Sequence, residues 1–261
     1  MTMSELPYGP EELKESSLDG KGFLRFLQEE KRRKYPEPPP LYQLLYDGKL
    51  SKEQAKLWIK DMYVYWDYAM YFSTGAIFVK TNDEEVRTHI LRRIVDIEGE
   101  DVVNDLTGWT TPAYEELWLR LGEGLGISRE EIISWKPFVR THYAIRTLAN
   151  LSRWWEWTWL DGVASFYAGD LHGKEYLGKA YEAFKGIYGV PDQNLEFFRV
   201  YLKCVDSYIP WEEKALSYWC CTRERQLTAA RALRNRLDIE NQLHIAVHKA
   251  ITSEKMPPQV P

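Results

Sequence analysis

The chain has 261 residues with 44% hydrophobic and 28% charged, a globular composition that fits one large domain and excludes a disordered chain. Its net charge of -5 excludes a basic surface able to grip duplex DNA, and no apolar run approaches the roughly 20 residues of a membrane span. Met1–Pro10 shows no signal-peptide pattern, and three cysteines, two of them adjacent (Cys220, Cys221), make no disulfide framework, so a cytoplasmic protein with reduced thiols is expected.

Apolar residues recur at helical spacing throughout and no run alternates with period two, so each element reads as a helix. The first follows Asp19-Gly20 through Leu24, Phe26 and Leu27, and stops in Lys31-Arg32-Arg33-Lys34 before the Pro36 to Pro40 cluster. A short helix from Leu41 to Tyr46 closes at Gly48. Ser51 caps the next, which runs through Trp58, Met62, Tyr65, Ala69 and Phe72 to Val79. Asn82 is read as the cap of a helix through Val86, Ile90, Ile94 and Ile97, with breaks at Gly99 and between Gly108 and Pro112. Thr111-Pro112 opens a helix through Leu117 and Leu121, and Ser128 starts another. Two helices are expected from Pro137 to Arg153 and from Trp154 to Leu171, then a separate amphipathic one over 174–187. Asp192 to Cys221, interrupted at Pro210, and Thr222 to Ile251 complete the set. The whole reads as one all-α domain over 1–261: an N-terminal extension (1–40), a bundle (41–250) and a tail (251–261).

Eleven Trp, 17 Tyr and 9 Phe imply either a bulky core or a cavity lined with flat side chains, and composition leaves both open. The run from Trp154 to Trp159 reads as a bulky helix contact, with a subunit interface as the alternative. Nucleophile elbows, phosphate loops and dinucleotide fingerprints are absent, as is the Glu-x-x-His element of di-iron bundles. Glu240, His244 and His248 share one helix face at a chelating spacing; the preferred reading is exposed imidazoles near a helix C-terminus. Cys204, Cys220 and Cys221 read as structural thiols. More telling are Arg93, Arg146, Arg199 and Arg236, each set among apolar residues on a different helix. Guanidinium groups facing an interior need anionic partners, from the protein or from a ligand.

Several stretches resemble the pyrroloquinoline-quinone synthase branch of the haem-oxygenase-like (TenA/PqqC-like) superfamily. They include Leu44–Lys49, Ser51–Trp58, Tyr63–Tyr65, Asp83–Arg87, Arg93–Asp96, Gly126–Glu130, Tyr167–His172 and Phe197–Arg199. The resemblance runs from Leu41 to Ala250. It implies a compact bundle of about seven core helices, with the N-terminal helical extension before it, around an enclosed polar pocket. It also implies a homodimer and a biosynthetic oxidase that uses dioxygen on a small anionic aromatic or amino-acid-derived substrate, with no cofactor.

By the same resemblance, Tyr65 and Arg93 line the substrate pocket, His172 and Arg199 stand where dioxygen is activated, and Arg236 replaces a lysine. Catalysis would then fall to His172, Arg199 and Tyr65, and substrate binding to Arg93, Arg236, Trp66 and Arg146. Tyr42, Trp66, Ile97, Arg146 and Leu195 depart from the synthase pattern, which argues against synthesis of the quinone itself. The di-iron relatives have a glutamate at Ser165 and a histidine-rich element over Leu202–Ile209, of which only Asp206 remains; the nucleophilic cysteine of thiaminase-like relatives is also missing. Two alternatives stay open. One is a non-catalytic binding protein on the same fold, and the other an oxidase with an atypical non-haem iron on Glu98, His172 and Asp206.

Overall fold

The structure is a computed structural model that describes residues 16–99, 111–154 and 156–261. Trp155, Met1–Pro10 and the Gly108 break lie outside the described residues. Among those described there are eleven α-helices and no strand; a lone bridge joins Phe138 to Gln259. No described helix is long and apolar enough to cross a membrane.

Helix starts follow local chemistry. α1 (Gly20–Lys34) begins where the Asp19 carboxylate accepts the Gly22 N–H at 2.6 Å, and its last turn carries four cations. Each such cap contributes about 1 kcal/mol. α2 (Pro40–Tyr46) starts on a proline, whose missing N–H costs nothing in a first turn. α3 (Lys52–Val64) opens with a reciprocal capping box between Ser51 and Gln54. It then passes through a π-helical turn at Tyr65–Ala69 into α4 (Met70–Phe78), so the expected single helix carries a widened turn in its middle. That turn buries both Tyr65 and Trp66. α5 (Glu84–Glu98) is capped by Asp83 rather than Asn82: the Asp83 carboxylate accepts from Val86 N–H.

α6 (Tyr114–Gly124), α7 (Arg129–Ile133, capped by Ser128) and α8 (Val139–Leu151) follow. The tryptophan run is then a break rather than a helix start. Lys80 Nζ holds the Trp154 and Trp157 carbonyls, and α9 (Trp159–Gly186) starts only at a Thr158–Asp161 capping box.

Two expected interruptions are continuous helix. α9 runs through Gly173 to Gly186, because its glycines are contact points: a Cβ on Gly162, Gly169 or Gly173 would strike Ile77, Arg236 or Tyr201. α10 (Glu196–Trp219) carries Pro210 inside it, with both Pro210 and Asp206 exposed. The Asp206 carbonyl that loses its donor can thus be met by water. α11 (Arg223–Ile251) closes the bundle.

α9 lies at the centre, flanked by α10 and α11. The aromatic surplus builds core: Trp66 packs on Trp118, Phe197 and Tyr201 with ring centroids 4.7–5.7 Å apart. Trp58, Trp118, Tyr114 and Tyr167 are fully buried. A second apolar cluster joins Phe23, Phe26 and Leu27 of α1 to α9, α10 and α11.

Candidate active site

Gly169 to Gly173 of α9 lie at the middle of the bundle, where Asp170 and His172 are both buried. Around His172, α11 turns Arg236, Glu240 and His244 inward from one face, at i, i+4 and i+8. Arg236 Nε donates to Glu240 Oε2 at 3.2 Å, and its Nη2 donates to Tyr65 Oη at 3.0 Å from the π-helical turn. Glu240 Oε2 lies 3.6 Å from His172 Nδ1, beyond hydrogen-bond reach, and neither ring nitrogen of His172 has a hydrogen-bond partner. Tyr176 packs 5.0 Å from the imidazole, and Tyr42 sits 5.0 Å from the His244 ring.

The charges here are settled by burial against pairing. Burial alone would raise the Glu240 carboxyl, but Arg236, helped by His172 and His244, holds it at about 2. Burial pushes His244 down to about 4, with Glu240 opposing, so His244 is neutral at pH 7. Burial pushes the Tyr65 hydroxyl up to about 12 despite Arg236. The cluster at neutral pH therefore contains an ionised Arg–Glu pair, a neutral phenol and a neutral second imidazole around His172.

A second buried group adjoins it. Arg93 of α5 donates from Nη2 to Asp170 Oδ1 at 2.7 Å and from Nη1 to Glu212 Oε1 at 2.9 Å. Its guanidinium is stacked between Phe166 and Tyr208, at 4.2 and 4.5 Å from the ring centroids. Burial, then the neighbouring Asp170, drives the Glu212 carboxyl far above its ordinary range, against the pull of Arg93. Arg93 thus has both of its carboxyl partners, Asp170 and Glu212, supplied by the protein itself. Arg93 faces inward as expected, yet two of its donor nitrogens are already held by the protein.

Two expected site residues point elsewhere. Arg199 is exposed and holds Asp192 through its Oδ2 at 3.2 Å and its carbonyl at 3.1 Å. α10 buries Phe197, Phe198 and Tyr201, which leaves Arg199 on the opposite side of the helix. Arg146 is also exposed; it lines an outer cleft of about 860 Å³ with Trp135, Lys136, His142 and Tyr143. The alternative iron set is not assembled: Glu98 ends α5 at the surface, and Asp206 is exposed and paired with Lys174 at 2.6 Å, whereas His172 is buried. Among the described residues no three His, Cys, Asp or Glu side chains converge closely enough to hold a metal, Glu240, His172 and His244 included. The expected exposure of His244 is corrected as well. It lies two turns before the end of α11, where Tyr42 of α2 covers it, while His248 one turn later is half-buried. The i, i+4, i+8 spacing after Arg236 carried the signal for Glu240 and His244.

The sequence matches the profile of the TENA/THI-4/PQQC family over residues 29–182, more than half of its length. The chain belongs to this family. It is 27% identical over 164 residues to a pyrroloquinoline-quinone synthase of Acinetobacter baumannii (strain AYE), covering 61% of this chain and 60% of that protein. The chain thus spans about three fifths of the length of that relative. The pyrroloquinoline-quinone synthase of Cronobacter sakazakii (strain ATCC BAA-894) is 25% identical over 223 residues, 84% of this chain and 83% of that one. A domain of unknown function with a haem oxygenase-like fold from Shewanella denitrificans OS217 superposes with a TM-score of 0.64 at 16% identity, covering 88% of this chain and 90% of that one. The all-α haem-oxygenase-like bundle expected from the sequence is therefore the fold of this family member.

Proposed function

We infer that the chain is a biosynthetic oxidoreductase that oxidises a small anionic aromatic or amino-acid-derived substrate with dioxygen. The observation that carries this reading is His172: a buried imidazole whose Nε2 has no hydrogen-bond partner and whose Nδ1 has only Glu240, 3.6 Å away, which Arg236 holds ionised. Buried polar atoms are as a rule satisfied, so the unpartnered Nε2 marks a place for a ligand. The relatives named pyrroloquinoline-quinone synthase support the oxidative class.

In this reading His172 takes a proton from the substrate as general base and returns it as reduced oxygen leaves. Glu240 orients the ring, and Tyr65, fixed by Arg236, sets the substrate plane. Arg236, paired with one carboxylate and a phenol, rather than Arg93, paired with two carboxyls, meets the carboxylate. The balance needs an electron-rich substrate: it gives up two electrons and two protons, and dioxygen becomes hydrogen peroxide. We also take the protein to be a cytoplasmic homodimer, which sedimentation at micromolar concentration tests.

Dioxygen uptake over a panel of aminophenols and aromatic carboxylates, with and without ferrous iron, decides the function. Uptake without iron that is lost in His172→Ala is the expected result. Tight ligand binding without uptake would favour the binding protein, a reading supported by the pairing of Arg93 within the protein. Uptake only with iron would favour the atypical oxidase.

A further inference from the structure

The way α1 is held changes along its length. Phe23, Phe26 and Leu27 are anchored by apolar burial, and α2 is anchored in the same manner by Leu41 and Leu45. Between these anchors most contacts are polar, although Tyr35 also packs on the second apolar cluster and Pro39 is buried. Glu30 pairs with Arg33 and Arg234, Lys31 pairs with Glu175, and Lys34 Nζ reaches Asp238 Oδ2 at 3.0 Å. Tyr35 Oη donates to Asp238 Oδ1 at 2.5 Å. The Glu175 and Asp238 side chains are half exposed, so water can replace these contacts when they break. The link that follows contains Pro36, Pro38, Pro39 and Pro40, a stiff segment with no N–H at those four positions.

His172 lies beneath this strap. The Tyr35 ring is half-buried and stands edge-on to the imidazole, 6.3 Å between centroids. Lys31 Nζ is 5.8 Å from the centre of the Tyr176 ring, which itself packs on His172. His172 is therefore one side chain below the surface on this side, and Tyr35 is that side chain.

We propose that the strap from Lys31 to Pro40 is the gate of the His172 site, and that Tyr35 decides what passes: a small planar anion. The proposal rests on the reading of the His172 cluster as the ligand site. Unclasping breaks the half-exposed contacts to Asp238 and Glu175, draws the buried Lys31 outward and leaves both apolar anchors in place, so the opening is local. It also frees Lys31 and Lys34 from Glu175 and Asp238, which presents two cations to the incoming ligand.

The test is site-resolved carbethoxylation of the full chain by diethyl pyrocarbonate, read by peptide mass. In the unaltered protein His172 should react more slowly than half-buried His142 and His248. Asp238→Asn should accelerate His172 roughly tenfold, which is what one charge-assisted hydrogen bond is worth. His244, under Tyr42 of the anchored α2, should keep its rate. Raising sodium chloride should accelerate His172 in the unaltered protein and add little in the variant. Benzoate should then protect His172 in the variant and benzyl alcohol should not. A His172 rate indifferent to both the substitution and salt overturns the gate, as does acceleration of His172 and His244 together, which would be general loosening. Equal protection by the two probes overturns the selection for an anion. No turnover is needed, so failure of the gate and failure of the oxidase reading are separate results.

Discussion

Gly169→Ala should destabilise the protein, against the sign that helix propensity dictates. In a helix interior the exchange of glycine for alanine is ordinarily worth about 1 kcal/mol of stability. At position 169 the new Cβ would lie 2.7 Å from Arg236 Nη2 and 3.0 Å from its Cζ and Nε. Ordinary contact begins at 3.4 Å, so the guanidinium must retreat by about 0.7 Å. The group is rigid and planar, so its Nη2 and Nε move together. The bonds to Tyr65 at 3.0 Å and to Glu240 at 3.2 Å then stretch past hydrogen-bond length. Two buried charge-assisted bonds are worth about 1.5–3 kcal/mol each, and offset by the propensity gain they leave a net loss of about 2–5 kcal/mol. Gly178 is the control. It lies in the same helix with nothing within 4 Å of the place a Cβ would take, so Gly178→Ala should gain about 0.5–1 kcal/mol. Urea unfolding of the three proteins gives both numbers. If the two alanine variants are stabilised alike, Arg236 does not depend on the glycine gap, and the positioning argument fails.

Other expectations concern single side chains. His172→Ala should lower dioxygen uptake about 10²–10⁴-fold while substrate affinity, read by calorimetry, changes little. Arg93→Ala leaves Asp170 and Glu212 without their cation and should cost about 3–5 kcal/mol in urea unfolding, the usual loss for a broken buried pair. Arg199→Ala and Arg146→Ala should stay within about 0.5 kcal/mol of the parent protein and keep its activity, since both side chains are at the surface. The folded pKa of His244, about 4, is below the ordinary 6.5, so the unfolded chain takes up the proton first and stability is lost as pH falls through that window. His244→Gln should remove about 2 kcal/mol of the loss between pH 7.5 and pH 5. Asp61, raised by burial to about 6, works in the opposite direction, so Asp61→Asn should steepen the acid loss over the same range.

Features decided within a turn or two of chain were legible in the sequence. Ser51 and Ser128 cap the helices they were expected to cap, and the helices expected after Asp19 and from Thr222 start on those caps, because a side-chain oxygen two or three residues from a free N–H needs no distant help. Gly173 was misleading for the opposite reason: it is glycine because the Tyr201 hydroxyl of another helix occupies the space of a side chain, not because the helix ends there. Arg199 follows two phenylalanines in sequence, and that adjacency suggested an inward direction. On a helix, however, neighbours in sequence diverge by about a quarter turn. His244 was hidden by its closeness to the chain end, whereas its burial comes from Tyr42, some 200 residues earlier. The inward direction of Arg93 was readable, but its two carboxyl partners on α9 and α10 were not, since neither lies near it in sequence.

The widened turn at Tyr65–Ala69 bears on how this chain is compared with its relatives. A π-helical turn holds about one residue more than an α-helical turn. Superposing α3 and α4 on an unbroken helix therefore demands a one-position gap between Tyr65 and Ala69. If the gap is placed after Tyr65, its phenol matches the position on the unbroken helix; placed before it, the Trp66 indole does. Both rings are buried, so a match that aligns only one of them leaves the other inside with no counterpart.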